Sequence, residues 1–391
     1  MAVNLTNADS ALKTYYLDAV TEQLNLNANP FLAAIRQSSE DVWGKEVRKL
    51  AIHGVNGGIG AGTEDGNLPS ANGNNYAQFV TTLKNLYGVI EISDKAIRAS
   101  ENNAGAFVNL LNAEMEGLVK SSSFNLGRML FGDGTGYIAK VNSIMQGLVF
   151  VDNVRNLAEG MIVDFYDVNG NAIQGATGRT IVALDRKEKI LFLSGATVDS
   201  NLIPNNSKVV VQGSYNNELT GLGAIFNPEN PTLYGLDKES NPWLNPYVEE
   251  NVGQLDELKL QTAIDKIEEF SGSKVNFIMC SWGVRRALQK IMSANRYNDT
   301  VELAGGYRAM TYNGIPIVAD RFCPEGTMYL LNTEDFQLHQ LCDWQWLEGD
   351  DGKVLKQIAG KPVYTATLVK YADLICSRPC GQGMLTGIME E

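Results

Sequence analysis

Two histidines, His53 and His339, five cysteines and scattered carboxylates are the side chains that could do chemistry in this 391-residue chain. A zinc or catalytic site needs ligands at short, regular spacings, and neither histidine has a His, Cys or carboxylate placed that way. The cysteines, Cys280, Cys323, Cys342, Cys376 and Cys380, are odd in number and contain no CxxC pair, so they read as buried thiols, not as a disulfide framework or a metal ribbon. Asp350-Asp351 precedes Gly352, the composition of a β-turn. Asp167-Val168-Asn169-Gly170-Asn171 has the opening of a calcium loop, but lacks the later ligands and the closing Glu, and is read as a turn. There is no P-loop, G-x-S-x-G elbow or H-E-x-x-H motif. The sequence therefore singles out no catalytic, cofactor-binding or metal-binding residue, and implies no cofactor.

One further candidate is the run GVNGGIGAGTEDGNLPSANGNN from Gly54 to Asn75. Its glycines could cradle a phosphate, but their spacing is not G-x-G-x-x-G, and no Gly-Lys-Ser/Thr or helix N-terminus follows. Such a long polar connection between two strands is functional in some other way or unstructured. The strands it joins are expected at 43–52 and 76–92, both rich in β-branched and aromatic residues.

The element that must position all of this is a helix expected from Asn103 to Phe131. Phe107, Leu111, Met115, Leu118, Leu126 and Met129 recur at helical spacing, Ser122 interrupts them, and Gly132, Gly134 and Gly136 end the pattern. At 1.5 Å per residue it is about 40 Å long, a strut and not a small-domain helix. Gly117 and Gly127 weaken it by up to about 1 kcal/mol each, which suggests that another backbone passes close by.

Before the loop, residues 1–42 carry a helical pattern through Leu12, Tyr15, Tyr16, Ala19 and Val20, then an Asn-rich break ending at Pro30. Ser93 is expected to cap a short helix, DKAIRAS. After the strut the texture becomes all-β: GLVFV, MIVDFYDVNGNAI, TIVALDRKEKILFLSG and KVVVQ suggest a small antiparallel module at 137–216. A Pro, Asn and Gly-rich connector follows, and then an α/β region. There a helix is expected over Leu255, Leu258, Ala263, Ile264 and Ile267, then strand VNFIMC and a helix capped by Ser281. Further on come a hairpin at Asn313-Gly314, strands TMYLLN and DFQLHQL, and a long strand KPVYTATLVKYADLIC.

A net charge of −13 argues against a protein that grips nucleic acid electrostatically. No segment reads as a bilayer span or a leader, so the expected compartment is the cytoplasm.

Taken in order, the arm, glycine-tipped β-loop, strut ending in Leu130-Phe131-Gly132-Asp133-Gly134-Thr135-Gly136, Gly221-Leu222 connector, Tyr312-Asn313-Gly314-Ile315-Pro316-Ile317 hairpin and returning strand resemble the tailed-bacteriophage major capsid proteins of the Hong Kong 97 fold, over residues 30–380. The resemblance implies an α+β capsid fold: an N-terminal arm (1–42), an extended β-loop (43–92), a peripheral domain with its spine helix (93–136), a connector (217–250), an axial domain (251–360) and a return strand to the peripheral domain and C-terminus (361–391). The module at 137–216 departs from the family, which joins these parts by a short link, and reads as an inserted all-β domain. The implied function is a structural head protein that assembles into hexamers and pentamers of an icosahedral shell. That shell encloses phage double-stranded DNA without sequence-specific binding. The implied partners are other copies of itself, a scaffolding protein, a portal and a decoration protein, with no membrane; the implied location is the virion, after assembly in the host bacterial cytoplasm. An encapsulin shell and a cytosolic α/β enzyme are the alternatives.

Some members of that family crosslink subunits through a lysine in the extended loop, and this loop has none between Gly54 and Asn75. Assembled particles boiled in detergent are therefore expected to run as a single 42.7 kDa band; a ladder on a reducing gel would contradict this.

Overall fold

The computed structural model describes residues 29–95, 104–294, 300–302, 308–349 and 352–391. The expected helix within residues 1–28, most of DKAIRAS, and Asp350-Asp351 lie outside these residues. Chain order begins with α1 (Pro30–Ala34), β1 (Arg36–Ser38), β2 (Val42–Trp43), β3 (Glu46–His53), β4 (Asn75–Thr82) and β5 (Lys84–Ser93). The single strand expected at 76–92 is two strands. Leu83 is buried and its amide donates to the Lys45 carbonyl at 2.9 Å, and there the chain leaves one sheet for another.

The strut is α2 (Ala104–Phe131), and Asn103, its expected start, lies outside the described residues. Met115, Leu126 and Met129 are buried along it and Ser122 sits among them, whereas Phe107 and Leu111 lie where side chains are not described. Gly127 has its reason in a side chain: a Cβ there would lie 2.6 Å from the Phe322 ring. A Cβ on Gly117 would meet nothing within 4 Å among the described residues, so nothing in them explains that glycine.

Six strands follow: β6 (Tyr137–Met145), β7 (Leu148–Val151), β8 (Ile162–Tyr166), β9 (Arg179–Asp185), β10 (Ile190–Leu193) and β11 (Lys208–Val211). They close into a barrel in the order β10-β7-β6-β11-β8-β9. Val141, Val149, Val163, Phe165, Ile181, Leu191 and Val209 fill it, all completely buried in a cluster separate from the rest of the protein. Strand β6 carries no regular alternation, so the sequence gives no sign of it. It is held by neighbours on both sides, β7 and β11, and its turn into β7 has Gln146 and Gly147 both at positive φ, the twist a tight hairpin needs.

The connector holds α3 (Leu222–Phe226), β12 (Thr232–Leu233), β13 (Leu236–Asp237) and β14 (Tyr247–Glu249). Next come α4 (Glu257–Ser271), β15 (Phe277–Cys280), α5 (Trp282–Ala294), β16 (Thr300–Glu302), β17 (Arg308–Tyr312), β18 (Ile315–Ala319) and β19 (Met328–Leu331). The chain ends with β20 (Phe336–Trp346), β21 (Lys356–Gln357), β22 (Val363–Cys376) and β23 (Gly383–Leu385). Seven strands form one mixed sheet, β14-β23-β19-β15-β18-β17-β16. Alternation along β15 and β19 divides its faces. Ile278, Cys280, Met328 and Leu330 pack with α4 and α5, and Phe277, Met279, Tyr329 and Leu331 join the main core that contains α2. Leu258, expected on the buried face of α4, is 76% exposed, because Asp256 caps the helix and puts Leu258 in its outward first turn.

A third sheet, β1-β20-β22-β21 with β5 on the other edge of β22, lies against α2. Gly88 in β5 makes the approach possible, since a Cβ there would meet Leu118 at 2.8 Å.

The crossing of α2 with α3 is closer still. A Cβ on Gly221 would lie 2.4 Å from the Met129 carbonyl oxygen and 2.6 Å from that of Gly132. Beside this contact Arg128 donates to both Glu218 carboxylate oxygens, at 2.8 and 2.5 Å, with both side chains buried. Glu218 and Leu219 thus belong to the strut's surroundings, although they follow the barrel directly. Arg128→Met is expected to cost about 3–5 kcal/mol, because it strands a buried carboxylate, and adding Glu218→Met should recover most of that. Denaturant melts of both variants decide it: a double variant as unstable as the single one would reject this account.

Candidate assembly interface

Strands β3 and β4 pair from Glu46↔Thr82 to His53↔Asn75, making a ribbon that β2 joins at its base. Alternation puts Val47, Ala51 and Phe79 on one side, buried, and Leu50, Ile52 and Tyr76 on the other, exposed by 60, 64 and 56%. The base is anchored by aromatic contacts. Phe79 lies 5.1 Å from the Tyr234 ring and 5.7 Å from that of Trp243, and His53 stacks on Trp243 at 4.7 Å, nearly parallel. His53 is thus a stacking partner where the ribbon passes into the tip. Lys49 reaches across to Gln337 at 2.9 Å.

Behind this ribbon lies Asp373, completely buried. It accepts from Thr81 Oγ1 at 2.5 Å, the Thr220 amide at 2.7 Å and Thr220 Oγ1 at 3.0 Å. One carboxylate on β22 therefore fastens the arm and the connector together. Burial pushes its pKa up, opposed by the hydrogen bonds from Thr81 and Thr220. Its cross-strand partner His339 is equally buried, with Nδ1 3.4 Å from the Glu40 carbonyl, and desolvation followed by the nearby Lys49 charge lowers its pKa. Lys370, three residues before Asp373, is completely buried, donating to Gln340 at 2.8 Å and Asp343 at 2.6 Å. These polar groups tie strands together, and each reads as a structural clamp.

Other residues that could carry chemistry are dispersed. Cys280, Cys323 and Cys376 are buried, Cys342 and Cys380 half-buried, and all five are free thiols. Asp167 accepts from the amides of Asn169 and Asn171 and from the Asn171 side chain, so its carboxylate closes a turn. Among the described residues no three His, Cys, Asp or Glu side chains are grouped to hold a metal ion. The sequence offers no spacing by which to find Arg128–Glu218, Thr81–Asp373 or Lys370–Asp343, which join positions 90, 292 and 27 residues apart.

Beyond its base the arm makes almost no contact with its own chain. Between Gly54 and Tyr76 nearly every residue is exposed, including Val55 at 78%, Ile59 at 81% and Leu68 at 90%. Its hydrogen bonds are internal, such as Asn56 to Asn74 at 3.1 Å. With Trp43 (74%), Leu50, Ile52 and Tyr76 this is an apolar surface that a solitary subunit leaves in water.

Residues 197–352, from the end of the barrel through six of the seven strands of the mixed sheet and on through β20, match the family model described as SU10 major capsid protein. Among solved structures the chain is similar to one from the capsid asymmetric unit of cyanophage A-1(L), with 12% identity, a TM-score of 0.55, and 94% of this chain and 93% of that one covered. It is also similar to a chain of the capsid of Myoviridae phage XM1 (9% identity, TM-score 0.46, 92% of each chain). An encapsulin from Synechococcus elongatus matches at 10% identity and TM-score 0.46, covering 92% of this chain and 88% of that one. No curated protein matches the sequence. The fold is the Hong Kong 97 capsid fold expected from the order of motifs. Fold and family match both point to phage capsid proteins as what this chain is similar to. In sequence, the part that matches the SU10 major capsid protein model is the connector and most of the seven-stranded sheet that follows it.

If the outward face of the ribbon is an assembly surface, Leu50→Glu with Ile52→Glu should leave subunit stability within about 0.5 kcal/mol, as exposed substitutions generally do, while abolishing shell formation. Calorimetry on the subunit and sedimentation of the assembly reaction test the two halves; shells of normal yield would show that this face stays in solvent.

Proposed function

We propose that this chain is the major head protein of a tailed phage, a structural subunit that catalyses no reaction. Copies of it associate into hexamers and pentamers, which close an icosahedral shell around double-stranded DNA. The observation that carries this reading is the arm. Its two-stranded ribbon and the tip at 54–74 hold exposed apolar side chains while their base is locked by Phe79, Trp243 and Asp373, a design that makes sense when a neighbour covers the tip. The acidic surface, at −13 overall, suits a wall that packaged DNA must not adhere to. A scaffolding protein and portal would guide closure in the host cytoplasm, a decoration protein could bind outside, and the mature location is the virion. The inserted module at 137–216 is read as an appended domain with its own core.

Electron microscopy of material expressed with and without a scaffolding protein tests this reading. Closed or malformed shells are expected, and a monomer under every condition would reject it. Hydrogen exchange adds a local test: residues 54–75 should exchange freely in isolated capsomers and become protected in shells, because glycine-rich chain orders only where contacts offset its entropy. Equal protection in both states would mean that no neighbour covers the tip.

A further inference from the structure

A closed barrel hides its apolar residues inside and should present polar ones outside, yet one side of this barrel does not. Val149 and Leu191 pair across β7 and β10 and are completely buried, so the residues flanking them point outward. Those residues are Leu148, Phe150, Ile190 and Phe192. Phe150 pairs with Ile190, Met145 pairs with Leu148 on β6, and Phe192 pairs with Ala183 beside Val182 on β9. The register thus lines up Met145, Leu148 and Phe192 across three adjacent strands and places Phe150 and Ile190 in the next row. Val182 is 63% exposed, Met145 58% and Phe192 39%, while Leu148, Phe150 and Ile190 are half-buried. The opposite side of the barrel, on β6, β11 and β8, instead carries Tyr137, Lys140, Lys208 and Tyr166, with Lys208 donating to the Tyr137 hydroxyl at 2.6 Å. That side also exposes Ile162 by 41%, but as a single apolar side chain and not as paired rows.

The rim of this patch indicates what covers it. The β9–β10 turn presents both signs of charge, with Arg186, Lys187, Glu188 and Lys189 exposed beside Glu159, while half-buried Asp185 caps the turn. Its ion pairs within the chain are loose, Arg186 to Glu159 at 3.4 Å and Lys187 to Glu188 at 3.8 Å, all with substantial side-chain exposure. A mixed rim around an apolar centre is self-complementary: under a two-fold axis, Lys187 of one copy can face Glu188 of the other as the apolar rows meet.

We propose that this side of the barrel is an isologous contact with the barrel of a second copy of this chain, joining subunits in addition to the arms. The contact rests on the shell reading above, and the full-length chain tests both separately. Phe192→Cys, oxidised in assembled particles, should give a covalent dimer band, whereas Lys208→Cys on the opposite side should not. Val182→Glu with Phe192→Glu should leave the subunit's melting transition in place and lower shell yield at least tenfold. If the unmodified chain forms shells but Phe192→Cys gives no dimer, or no more than Lys208→Cys, the contact is wrong and the shell reading stands. Assembly of the glutamate variant at normal yield would likewise reject the contact alone. If the unmodified chain forms no shells, the shell reading fails and the contact falls with it.

Discussion

Everything wide in this protein depends on one close crossing. The glycines at 221 and 223 let the connector lie directly on the last turn of the strut, where a Cβ at either would collide with carbonyls or backbone carbon of Met129, Phe131 and Gly132. The buried Arg128–Glu218 pair sits beside that crossing. Packing alone would allow the strut to slide or rotate against the connector. A bidentate guanidinium–carboxylate bond in a dry site has one geometry, and departing from it leaves a charge without its partner, at a cost of several kcal/mol. The crossing therefore fixes register and angle, and with them the relation between the strut, the barrel that ends just before Glu218, and the seven-stranded sheet that follows.

Asp373 extends the same logic to the arm. Because it accepts from both Thr81 and Thr220, the ribbon's base and the connector cannot shift independently. Its raised pKa gives the sign of its contribution: relative to the unfolded chain, the folded state holds this proton more tightly. The stabilisation from that proton is full below the unfolded carboxylate pKa and is lost as pH rises through the folded one. Above that range the clamp is held by three hydrogen bonds to an anion whose burial is unfavourable, so it contributes more to position than to stability.

The parts legible in the sequence are those whose information is local. Helical spacing marks α2 and its end at Phe131, Asn313-Gly314 marks its hairpin with both residues at positive φ, and the Gly54–Asn75 composition marks the exposed tip. What is not legible depends on distant partners. The break at Leu83 is set by which sheet receives each strand, since β4 pairs with β3 and β5 with β22, and the residues themselves read as one continuous strand. Lys370 and Asp373 look like ordinary polar positions in an apolar run until β20 and Thr220 close over them. Gly127 suggests, from its place in a helix, room for a passing backbone, and makes room for a phenyl ring instead.

The distribution of burial also explains why the chain has two kinds of surface. Among the described residues, three separate apolar clusters hold the core, one around α2, one under α4 and α5, and one inside the barrel, and each is complete within the subunit. The arm tip belongs to none of them. Had Leu50, Ile52, Ile59 and Leu68 been able to fold back onto the main core, the subunit would have satisfied itself and association would have to compete with that closed state. The ribbon prevents it. Its inward residues are committed to Tyr234 and Trp243, and because strand side chains alternate, this commitment holds the other face outward. Anchoring the base so firmly is therefore what keeps the tip available, and on the proposed shell reading the energy of assembly is drawn from surface that the fold itself is built not to bury.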